Sequence, residues 1–354
     1  MQTLNTRFMK PIGGTGRLQE APSVMRLLFI ADPLESFAVY KDSTFSMMRE
    51  AQSRGYRVHA CEPRHLRWLQ GERVGSEVRA ITLTGKKPAW FEQTDTHRMA
   101  LCEFDAVVMR KDPPFDAEYI YATHLLTQAE REGARVFNAP QALREHPEKL
   151  AILEFAQHIA PTLVTRRAED IRAFHAEHQD VILKPLDGMG GMGIFRVRAD
   201  GLNLGSIIDT LNDGGRRTAM VQKFLPEIAQ GDKRVLIING EPVPFCLARI
   251  PQGDEVRGNL AAGGKGVAQP LNDADRQTAT EIGRVLAPRG LLLVGLDIIG
   301  DKVTEINVTS PTCFREIHDQ AGCNVAALFM DALERALASP VPNPVVTSGD
   351  RIFS

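Results

Sequence analysis

The sequence predicts an α/β protein of two or three domains that begins with a mostly parallel sheet. The chain has 354 residues, 43% of them hydrophobic, which is enough to build more than one core. From Met25 onward, β-type and helix-type stretches alternate, as they do where helices connect parallel strands. A glycine-rich stretch between two short apolar runs, residues 181–197, interrupts this alternation. We therefore expect a parallel sheet first and a hairpin-containing arrangement after it.

The first unit comprises residues 25–145. It follows an extension, residues 1–24, that lacks periodicity and is predicted to be disordered. The predicted strands are residues 26–31, 57–61, 106–109 and 135–137, and the predicted helices are residues 44–54 and 117–131. Between residues 61 and 106 lies a variable region in which the sequence predicts no element. This order of elements is typical of a mostly parallel, Rossmann-like sheet.

Two polar stretches follow strands of this sheet, at the edge where parallel sheets bind their ligands. The first, residues 32–43, ends in Ser43, and the second, residues 110–116, begins with Arg110 and is stiffened by paired prolines. An arginine here can hold a substrate carboxylate through two hydrogen bonds. The alternative is a surface arginine paired with Asp112, and the local sequence favours neither.

The second unit, residues 146–225, contains the glycine-rich stretch. Lys149 lies in the first turn of a helix predicted at residues 148–158, where the helix dipole disfavours a cation, so we expect an anion nearby. Further strands are predicted at residues 162–165, 181–183, 194–197 and 219–224, with helices at residues 168–178 and 204–211.

The glycine-rich stretch carries Lys184 into a loop that holds Gly188, Gly190 and Gly191. No helix follows directly, which excludes the two common phosphate motifs that join a loop to a helix. Bare backbone N–H groups in such a hairpin can face phosphate oxygens, and the lysine adds a positive charge. The alternative is a flexible hairpin with a surface lysine.

The strand at residues 219–224 leads into a candidate nucleotide pocket. Gln222, Phe224 and Leu225 lie where the strand ends. Strand-end backbone groups beside an apolar pair provide the flat wall and the edge hydrogen bonds that an adenine ring needs. An ordinary buried strand is the alternative interpretation.

The third unit, residues 226–338, precedes a tail at residues 339–354 that is predicted to be flexible. Its first two strands, residues 235–238 and 243–248, are joined by Asn239 and Gly240, a strong hairpin signal. The next stretch, residues 250–266, contains five glycines together with Arg257, Asn259 and Lys265. A loop of this length inside a domain is usually functional. We predict a mobile lid that closes over an anionic intermediate.

A metal site is predicted where two further strands, residues 292–299 and 303–308, follow a helix at residues 273–287. Glu305 and Asn307 are two residues apart, so both point to one face of an apolar strand. Oxygen ligands of this kind suit Mg²⁺. Asp297 joins them only if it lies opposite Glu305, so we predict a three-residue or bulged hairpin. The alternative is an amphipathic strand with a solvated acidic face.

Composition excludes several classes of function. The formal net charge of -2 gives no electrostatic case for binding nucleic acid or an anionic membrane. The five cysteines include no C-x-x-C pair, which suits a reducing compartment, and Cys246 and Cys313 are interpreted as structural. No apolar run reaches the length of a membrane span, and residues 1–24 lack the apolar region of a secretory signal. We expect a cytoplasmic protein.

The order of these parts resembles the ATP-grasp carboxylate-amine ligases, and the chain is more narrowly similar to the bacterial glutathione synthetases. The similar strings are RKDPPFD at 110–116, KPLDGMGG at 184–191, GDKRV at 231–235, ARIPQGDEVRGNLAAGGKG at 248–266 and VGLDIIGDKVTEINVTSPT at 294–312. The last two are the most specific, and the resemblance covers residues 25–337.

The resemblance implies an α+β part in which two ATP-grasp subdomains, residues 146–225 and 226–338, clamp ATP. The implied ATP contacts are Lys149, Lys184 and the loop Gly188, Gly190 and Gly191 for phosphates, Gln222, Phe224 and Leu225 for adenine, and Asp232 for ribose. The implied ligands of two Mg²⁺ ions, replaceable by Mn²⁺, are Asp297, Glu305 and Asn307. The candidate substrate contacts are Ser43, Arg110, Arg234, Arg257, Asn259 and Ser310, of which Arg234 and Arg257 join Lys184 as candidate catalytic residues.

The reaction that the resemblance implies joins γ-glutamylcysteine to glycine through an acyl phosphate, releasing ADP and phosphate. A homo-oligomer, a tetramer in this family, is implied as well. Two alternatives stay open at this point: another ligase of the superfamily, for D-alanine or glutamate, and an ATP-binding regulatory protein without turnover. An assay of phosphate release separates all three.

Overall fold

The computed structural model describes residues 24–86, 89–253, 257–260 and 263–339. Within these residues the chain forms three sheets, of six, four and five strands, in that order along the sequence. The predicted α/β class is confirmed. No described helix is both long and apolar enough to cross a membrane.

The first sheet has the strand order β4-β3-β2-β1-β5-β6. Its strands are β1 (Arg26–Ile30), β2 (Arg57–Cys61), β3 (Gly75–Leu83), β4 (Phe91–Ala100), β5 (Ala106–Met109) and β6 (Val136–Phe137). Its helices are α1 (Ser43–Ser53), α2 (Ala117–Arg131) and α3 (Pro140–Glu145). β1 pairs in parallel with β2 and β5, and β5 with β6. The predicted parallel core is therefore present.

Three elements of this unit are missing from the sequence-based prediction. The variable region forms the antiparallel strands β3 and β4, which extend the sheet at its edge. β4 is exposed along most of its length, so no apolar face marks it as a strand. The helix α3 begins with Pro140, a residue well suited to a first helical turn.

The second sheet, which we call the lid sheet, has the order β7-β10-β8-β9. Its strands are β7 (Thr162–Thr165), β8 (Val181–Pro185), β9 (Phe195–Val197) and β10 (Ala219–Lys223), and its helices are α4 (Ala168–His178) and α5 (Leu204–Asn212). β8 pairs antiparallel with β9, so the predicted glycine hairpin is confirmed.

The third sheet, which we call the carboxylate sheet, has the order β13-β12-β11-β14-β15, with every pair antiparallel. Its strands are β11 (Asp232–Ile238), β12 (Glu241–Ile250), β13 (Lys265–Pro270), β14 (Leu293–Ile299) and β15 (Lys302–Asn307). The helix α6 (Asp273–Leu286) precedes β14, and α7 (Phe314–Ala321) and α8 (Val325–Ala338) follow β15. Lys265 and Gly266 are part of β13, so the predicted loop ends earlier than residue 266.

The prediction of an α-helix at residues 148–158 is wrong in the type of helix and in its first residue. A 3-10 helix runs over Ala151–His158, with non-helical backbone at Phe155, and Lys149 precedes it. The carbonyl of Glu148 accepts a hydrogen bond from the backbone N–H of Ile306 on β15. That carbonyl is therefore engaged by a strand rather than by the next helical turn.

Two large cores join the first sheet to the carboxylate sheet. Val107 and Leu296 share one of them, and Phe29 and Leu236 share the other. The lid sheet instead packs on α4 and α5 around its own smaller core, which includes Ile208. The first and third sheets are thus one packed body, to which the lid sheet is attached.

Candidate active site

One chamber of about 520 Å³ lies where the three sheets meet. Every candidate residue named from the sequence lines it. These residues are Ser43, Arg110, Lys149, Lys184, Gly188, Gly190, Gly191, Gln222, Phe224, Leu225, Asp232, Arg234, Arg257, Asn259, Asp297, Glu305, Asn307 and Ser310. Residues nearly 270 positions apart in the chain therefore converge on one volume.

The register of β14 and β15 confirms the predicted bulged hairpin. Asp297 lies directly opposite Glu305, and a register shift follows immediately, between Asp297 and Ile298. The turn itself is short, so the extra residue is Thr304, whose hydroxyl donates to the carbonyl of Asp297. Without this bulge, Asp297 and Glu305 would point to opposite faces of the sheet.

Asp297 lies in a buried network of four charged side chains. Arg234 contacts its carboxylate at 2.6 Å, and Arg249 contacts it at 2.8 Å and Asp232 at 2.5 Å. Burial disfavours the charged form of Asp297, but the two arginines still hold its pKa well below the usual range. Burial raises the pKa of Asp232 to about 7, with Asp297 adding to the shift and Arg249 opposing it. The network keeps Asp297 ionised.

Arg249 was not predicted as a site residue. It lies on β12, opposite Asp232 of β11, and Asp232 is two residues from Arg234, which lies opposite Asp297. Its sequence signal is weak because β12 is otherwise an ordinary apolar strand. The strand order, which sets β12 beside β11, is what brings Arg249 to the chamber.

Two buried lysines connect the lid sheet to β15. The Lys184 ammonium donates to the carbonyl of Thr304 at 3.1 Å, and Lys149 pairs with the Glu305 carboxylate at 3.1 Å and donates to the carbonyl of Gly188 at 2.6 Å. Burial lowers the pKa of Lys184 to about 8, with Glu305 opposing the shift. Both ammonium groups line the chamber beside a carboxylate, so the alternative of a surface lysine at residue 184 is wrong.

The glycine loop and the third-unit loop touch each other at the chamber. Arg257 donates to the carbonyl of Gly191 at 3.1 Å. Gly191 has a φ of +85°, and a Cβ built there would lie 2.8 Å from the Asn259 side chain. Only glycine fits this position without strain, so the contact between the loops depends on it.

An apolar slot lies between the lid sheet and the carboxylate sheet. Its walls include Ile182, Phe224, Leu225 and Ile299. The guanidinium of Arg196 lies 3.5 Å from the centre of the Phe224 ring, which fixes the ring's orientation. A flat apolar slot at a strand end has the shape that suits a heteroaromatic ring.

The first sheet contributes a polar wall. Arg110 is only 4% exposed, so the alternative of a surface arginine is wrong. Its Nε donates to Thr44 Oγ1 at 3.1 Å and its Nη2 to the carbonyl of Pro311 at 3.0 Å. Its Nη1 is buried and has no hydrogen-bond partner among the described residues. The Ser310 hydroxyl donates to Asp112.

The carboxylates that line the chamber without having been predicted as site residues include Glu148 and Glu316. Glu148 accepts hydrogen bonds from the backbone N–H and hydroxyl of Thr309 at 3.3 and 2.6 Å. Burial, and then the charge of Glu305, raise its pKa to about 7. Glu316 lies in the first turn of α7. Neither Glu148 nor Glu316 lies in a recognisable sequence motif. Each is brought to the chamber by a change in the direction of the chain.

The predicted metal ligands fit a hard cation. Among the described residues no group of three His, Cys, Asp or Glu side chains forms a metal site. The predicted set instead combines the paired carboxylates of Asp297 and Glu305 with the amide of Asn307. The Asn307 amide nitrogen donates to the carbonyl of Gly295 at 3.3 Å, which leaves its oxygen available as a ligand. Three oxygen donors on one sheet face suit Mg²⁺.

Family models match most of the chain. The model of the prokaryotic glutathione synthetase N-terminal domain matches residues 25–144, and the model of the ATP-grasp domain of the same family matches residues 148–322.

Relatives and solved structures agree with these matches. A glutathione synthetase from Ralstonia nicotianae is 59% identical over 312 residues, 88% of this chain and 96% of that protein. One from Nitrosomonas europaea is 54% identical over 317 residues, 89% and 99% of the two chains.

At the level of fold, the ATP-grasp ligase PsnB in complex with a minimal precursor, Mg and ADP has a TM-score of 0.57 at 19% identity, over 89% of this chain and 98% of that chain. The D-cycloserine synthetase DcsG has a TM-score of 0.60 at 13% identity, over 88% and 99%. The fold is thus shared with ATP-grasp enzymes of different specificity, while the close sequence relatives and both family models agree on one family. The chain belongs to the prokaryotic glutathione synthetases, which are ATP-dependent carboxylate-amine ligases.

Proposed function

We propose that the chamber ligates γ-glutamylcysteine to glycine, forming glutathione with release of ADP and phosphate. The observation that carries this proposal is the meeting of buried lysines, paired carboxylates and arginines in one volume, in a chain of this family. The two glutathione synthetases named above match this chain over nearly their whole length. The alternatives of a D-alanine ligase, a glutamate ligase or an inactive regulatory protein are therefore not favoured.

ATP takes the side of the chamber that faces the lid sheet. The apolar slot with Phe224 and Leu225 receives adenine, with Gln222 at its edge and Asp232 near the ribose. Lys149 and Lys184 hold the phosphates, and the loop of Gly188, Gly190 and Gly191 covers them. Each lysine is already held by a backbone carbonyl, and Lys149 also by Glu305, so phosphate binding needs little reordering of these side chains.

Asp297, Glu305 and Asn307 hold Mg²⁺, on which this family of ligases depends together with ATP. Two ions, with Mn²⁺ as a substitute, are part of the proposal. When bound, the cation neutralises phosphate charge and orients the transferred group. Arg234 and Arg249 keep Asp297 charged in the absence of any ligand, so the carboxylate is ready to bind a cation.

The ligation proceeds in two displacements. A carboxylate oxygen of the dipeptide attacks the γ-phosphorus and ADP leaves, which yields an acyl phosphate. The glycine amine then attacks the acyl carbon, phosphate leaves, and the amine gives up a proton. No protein nucleophile takes part, so the chain contributes positioning and charge, with Lys184, Arg234 and Arg257 facing the negative charge that develops.

The acid and the amine bind toward the first sheet. Arg110, Ser43 and Ser310 form that wall, and Arg257 and Asn259 lie on the loop that meets the glycine hairpin. An acyl phosphate hydrolyses in water, so closing this loop protects the intermediate. The contact between Arg257 and Gly191 supports a loop that closes against the hairpin.

Three properties of the whole protein are included in the proposal. The subdomain limits at residues 145 and 225 fall between the three sheets. A cytoplasmic location is supported by the five cysteines, all of which are free thiols; burial of Cys246 and Cys313 supports a structural role for both. The homo-oligomer, a tetramer, rests on the family alone.

The test is phosphate release with ATP, Mg²⁺, γ-glutamylcysteine and glycine, omitting one component at a time. We expect release only with all four, and glutathione in equal amount by mass spectrometry. Release with D-alanine or glutamate in place of the dipeptide, or none with any acid, would contradict the proposal. The mass of the native protein in solution tests the oligomer.

A further inference from the structure

Lys233 lies on β11 between two residues of the chamber but faces away from it. Its neighbours Asp232 and Arg234 both line the chamber. Because side chains alternate along a strand, Lys233 points to the opposite face of the carboxylate sheet, where α6 packs on β11 and β12. Only 12% of the Lys233 side chain is exposed. Burial of an ammonium group is costly unless the group is paired and hydrogen-bonded, so the partners of this lysine indicate what it does.

The partners of Lys233 connect a helix to the turn between the two strands of the proposed metal site. The Lys233 ammonium pairs with Oδ2 of Asp275 at 2.5 Å and donates to the carbonyl of Gly300 at 2.9 Å. Asp275 lies in the first turn of α6, where its carboxylate also accepts from the amide of Asn272 at 2.8 Å. Gly300 and Asp301 form the turn between β14 and β15. Lys233 therefore ties this turn to the start of α6.

A second element also contacts the turn. Gly300 has a φ of +60°, and a Cβ built there would lie 3.1 Å from Cγ of Glu227. Glu227 belongs to a 3-10 helix, Pro226–Gln230, which directly follows the apolar slot residue Leu225. Because the Glu227 side chain packs directly against Gly300, the turn is held by tertiary contacts rather than left as a free end of the hairpin.

The strand β15 depends on such contacts because it is an edge strand with an interrupted ladder. In the described sheet it has β14 as its single neighbour. Between the bulge and the turn, two pairs remain, in which Ile298 and Ile299 are the residues of β14. Glu305 directly follows the bulge residue Thr304. A turn that moves would carry this end of β15 with it and change the distance between Glu305 and Asp297.

We propose that Lys233 is a positioning residue for the bound cation. From the face of the sheet opposite the chamber, it fixes the turn and so holds Asp297, Glu305 and Asn307 at the spacing that a cation requires. Groups that orient metal ligands commonly contribute about 10- to 100-fold to metal affinity. This inference rests on the metal ligands of the proposed function. The competing explanation is that the pair of Lys233 and Asp275 only keeps the protein folded.

Two variants separate positioning from stability. Lys233→Met keeps the length of the side chain but leaves Asp275 buried without its partner, so the Tm should fall. In Lys233→Met/Asp275→Asn no unpaired charge remains, so most of the loss in Tm should be recovered. The carbonyl of Gly300 lacks its lysine in both variants. We therefore expect the Kd for Mg²⁺ in the presence of ADP, measured by calorimetry, to rise about 10-fold or more in both.

Hydrogen exchange of the ligand-free protein tests the turn without any cation. The backbone N–H groups of residues 297–307 should exchange faster in both variants. In steady-state kinetics, the Mg²⁺ concentration that gives half-maximal rate should rise, while the KM values for γ-glutamylcysteine and glycine should change by less than about twofold.

Lys302→Met is the matched control. It removes the same charge from the same hairpin, where Lys302 is partly exposed and pairs with Asp301 at 3.0 Å. The Kd for Mg²⁺ and the exchange of residues 297–307 should both stay as in the wild type.

Failure of this inference is distinguishable from failure of the proposed function. If the wild type neither binds Mg²⁺ with ADP nor ligates γ-glutamylcysteine, the proposed function falls. If the wild type does both but Lys233→Met binds Mg²⁺ equally well, or if the double variant recovers the wild-type Kd together with its Tm, only the role of Lys233 falls. Should Lys233→Met not fold, the double variant decides.

Discussion

The lid sheet and the carboxylate sheet face each other across the chamber, but they hold their charged residues in different ways. The carboxylate sheet fixes Asp297 between two buried arginines, within cores that it shares with the first sheet. The lid sheet has its own core, and its Lys184 is held by one backbone carbonyl. From the lid strands, Met220 of β10 is buried in one of the large cores and Val164 of β7 packs against that core.

This difference explains how the proposed nucleotide site can be rigid on one side and open to its ligands on the other. A side that places metal ligands needs fixed geometry, which a buried ion network in a shared core provides. A side that covers phosphates must let them in and out, which a small separate core permits. The two sides can therefore be perturbed separately.

The largest effect is expected from Asp297→Asn. The amide leaves Arg234 and Arg249 without full counter-charge in a buried setting, which costs about 3–5 kcal/mol of unfolding free energy, and it removes a proposed metal ligand. Urea unfolding and phosphate release should both show the loss. Asp301→Asn, at an exposed position on the same hairpin, should change neither. An Asp297→Asn protein of normal stability would show that the network is not what makes this side rigid.

Glu305→Gln should separate activity from stability. Glu305 is partly exposed and pairs with the buried Lys149, whose ammonium also donates to the carbonyl of Gly188. Removing the charge of Glu305 also relieves its repulsion with Glu148, so the unfolding free energy should fall by less than it does for Asp297→Asn. Turnover should fall at least about 100-fold because a proposed metal ligand is weakened. Glu241→Gln, exposed on β12, controls for the loss of charge. Retained turnover at saturating Mg²⁺ would remove Glu305 from the metal site.

Ile208→Ala and Ile298→Ala test the independence of the two cores. Both isoleucines are fully buried, one in the lid core and one in the shared core, and each truncation costs about 3 kcal/mol locally. Hydrogen exchange followed by mass spectrometry should accelerate only within residues 162–223 for Ile208→Ala, and over the first and carboxylate sheets for Ile298→Ala. Equal acceleration of all three sheets by Ile208→Ala would mean that the lid is not a separate unit.

The smallest effect is expected from Glu130→Gln on α2, within the packed body and away from the chamber. Burial raises the pKa of Glu130 from 4.5 to about 7, with Arg144 opposing the shift. Since the folded state then holds the proton more tightly than the unfolded state, stability falls as pH rises from 4.5 to 7. Glu130→Gln should match the wild type near pH 4.5 and have a slightly higher Tm above pH 7. Glu92→Gln, exposed on β4, should show no such gain, and a gain that is independent of pH would contradict the assignment.

Most of the fold and of the candidate site could be predicted from the chain. The strands β2, β5 and β7 and the helices α2 and α4 lie where their periodicity predicts them. The exposed β4 could not be found, because its side chains form no apolar face. Lys149 was predicted as a site residue, but the backbone conformation around it was not. The hydrogen bond from the Ile306 N–H to the Glu148 carbonyl joins residues that are distant in the sequence.

The sequence by itself determined the glycine hairpin and the two strands that carry Asp297 and Glu305. It limited their connection to a three-residue or bulged hairpin, because a two-residue side-chain period makes register a local constraint. Only the tertiary structure decided which charges share the chamber. Arg249 and Glu316 stand in no motif of their own and are brought to it by the strand order and by the turn before α7. Which charged groups interact depends on their distance in space, and a linear sequence pattern does not give that distance.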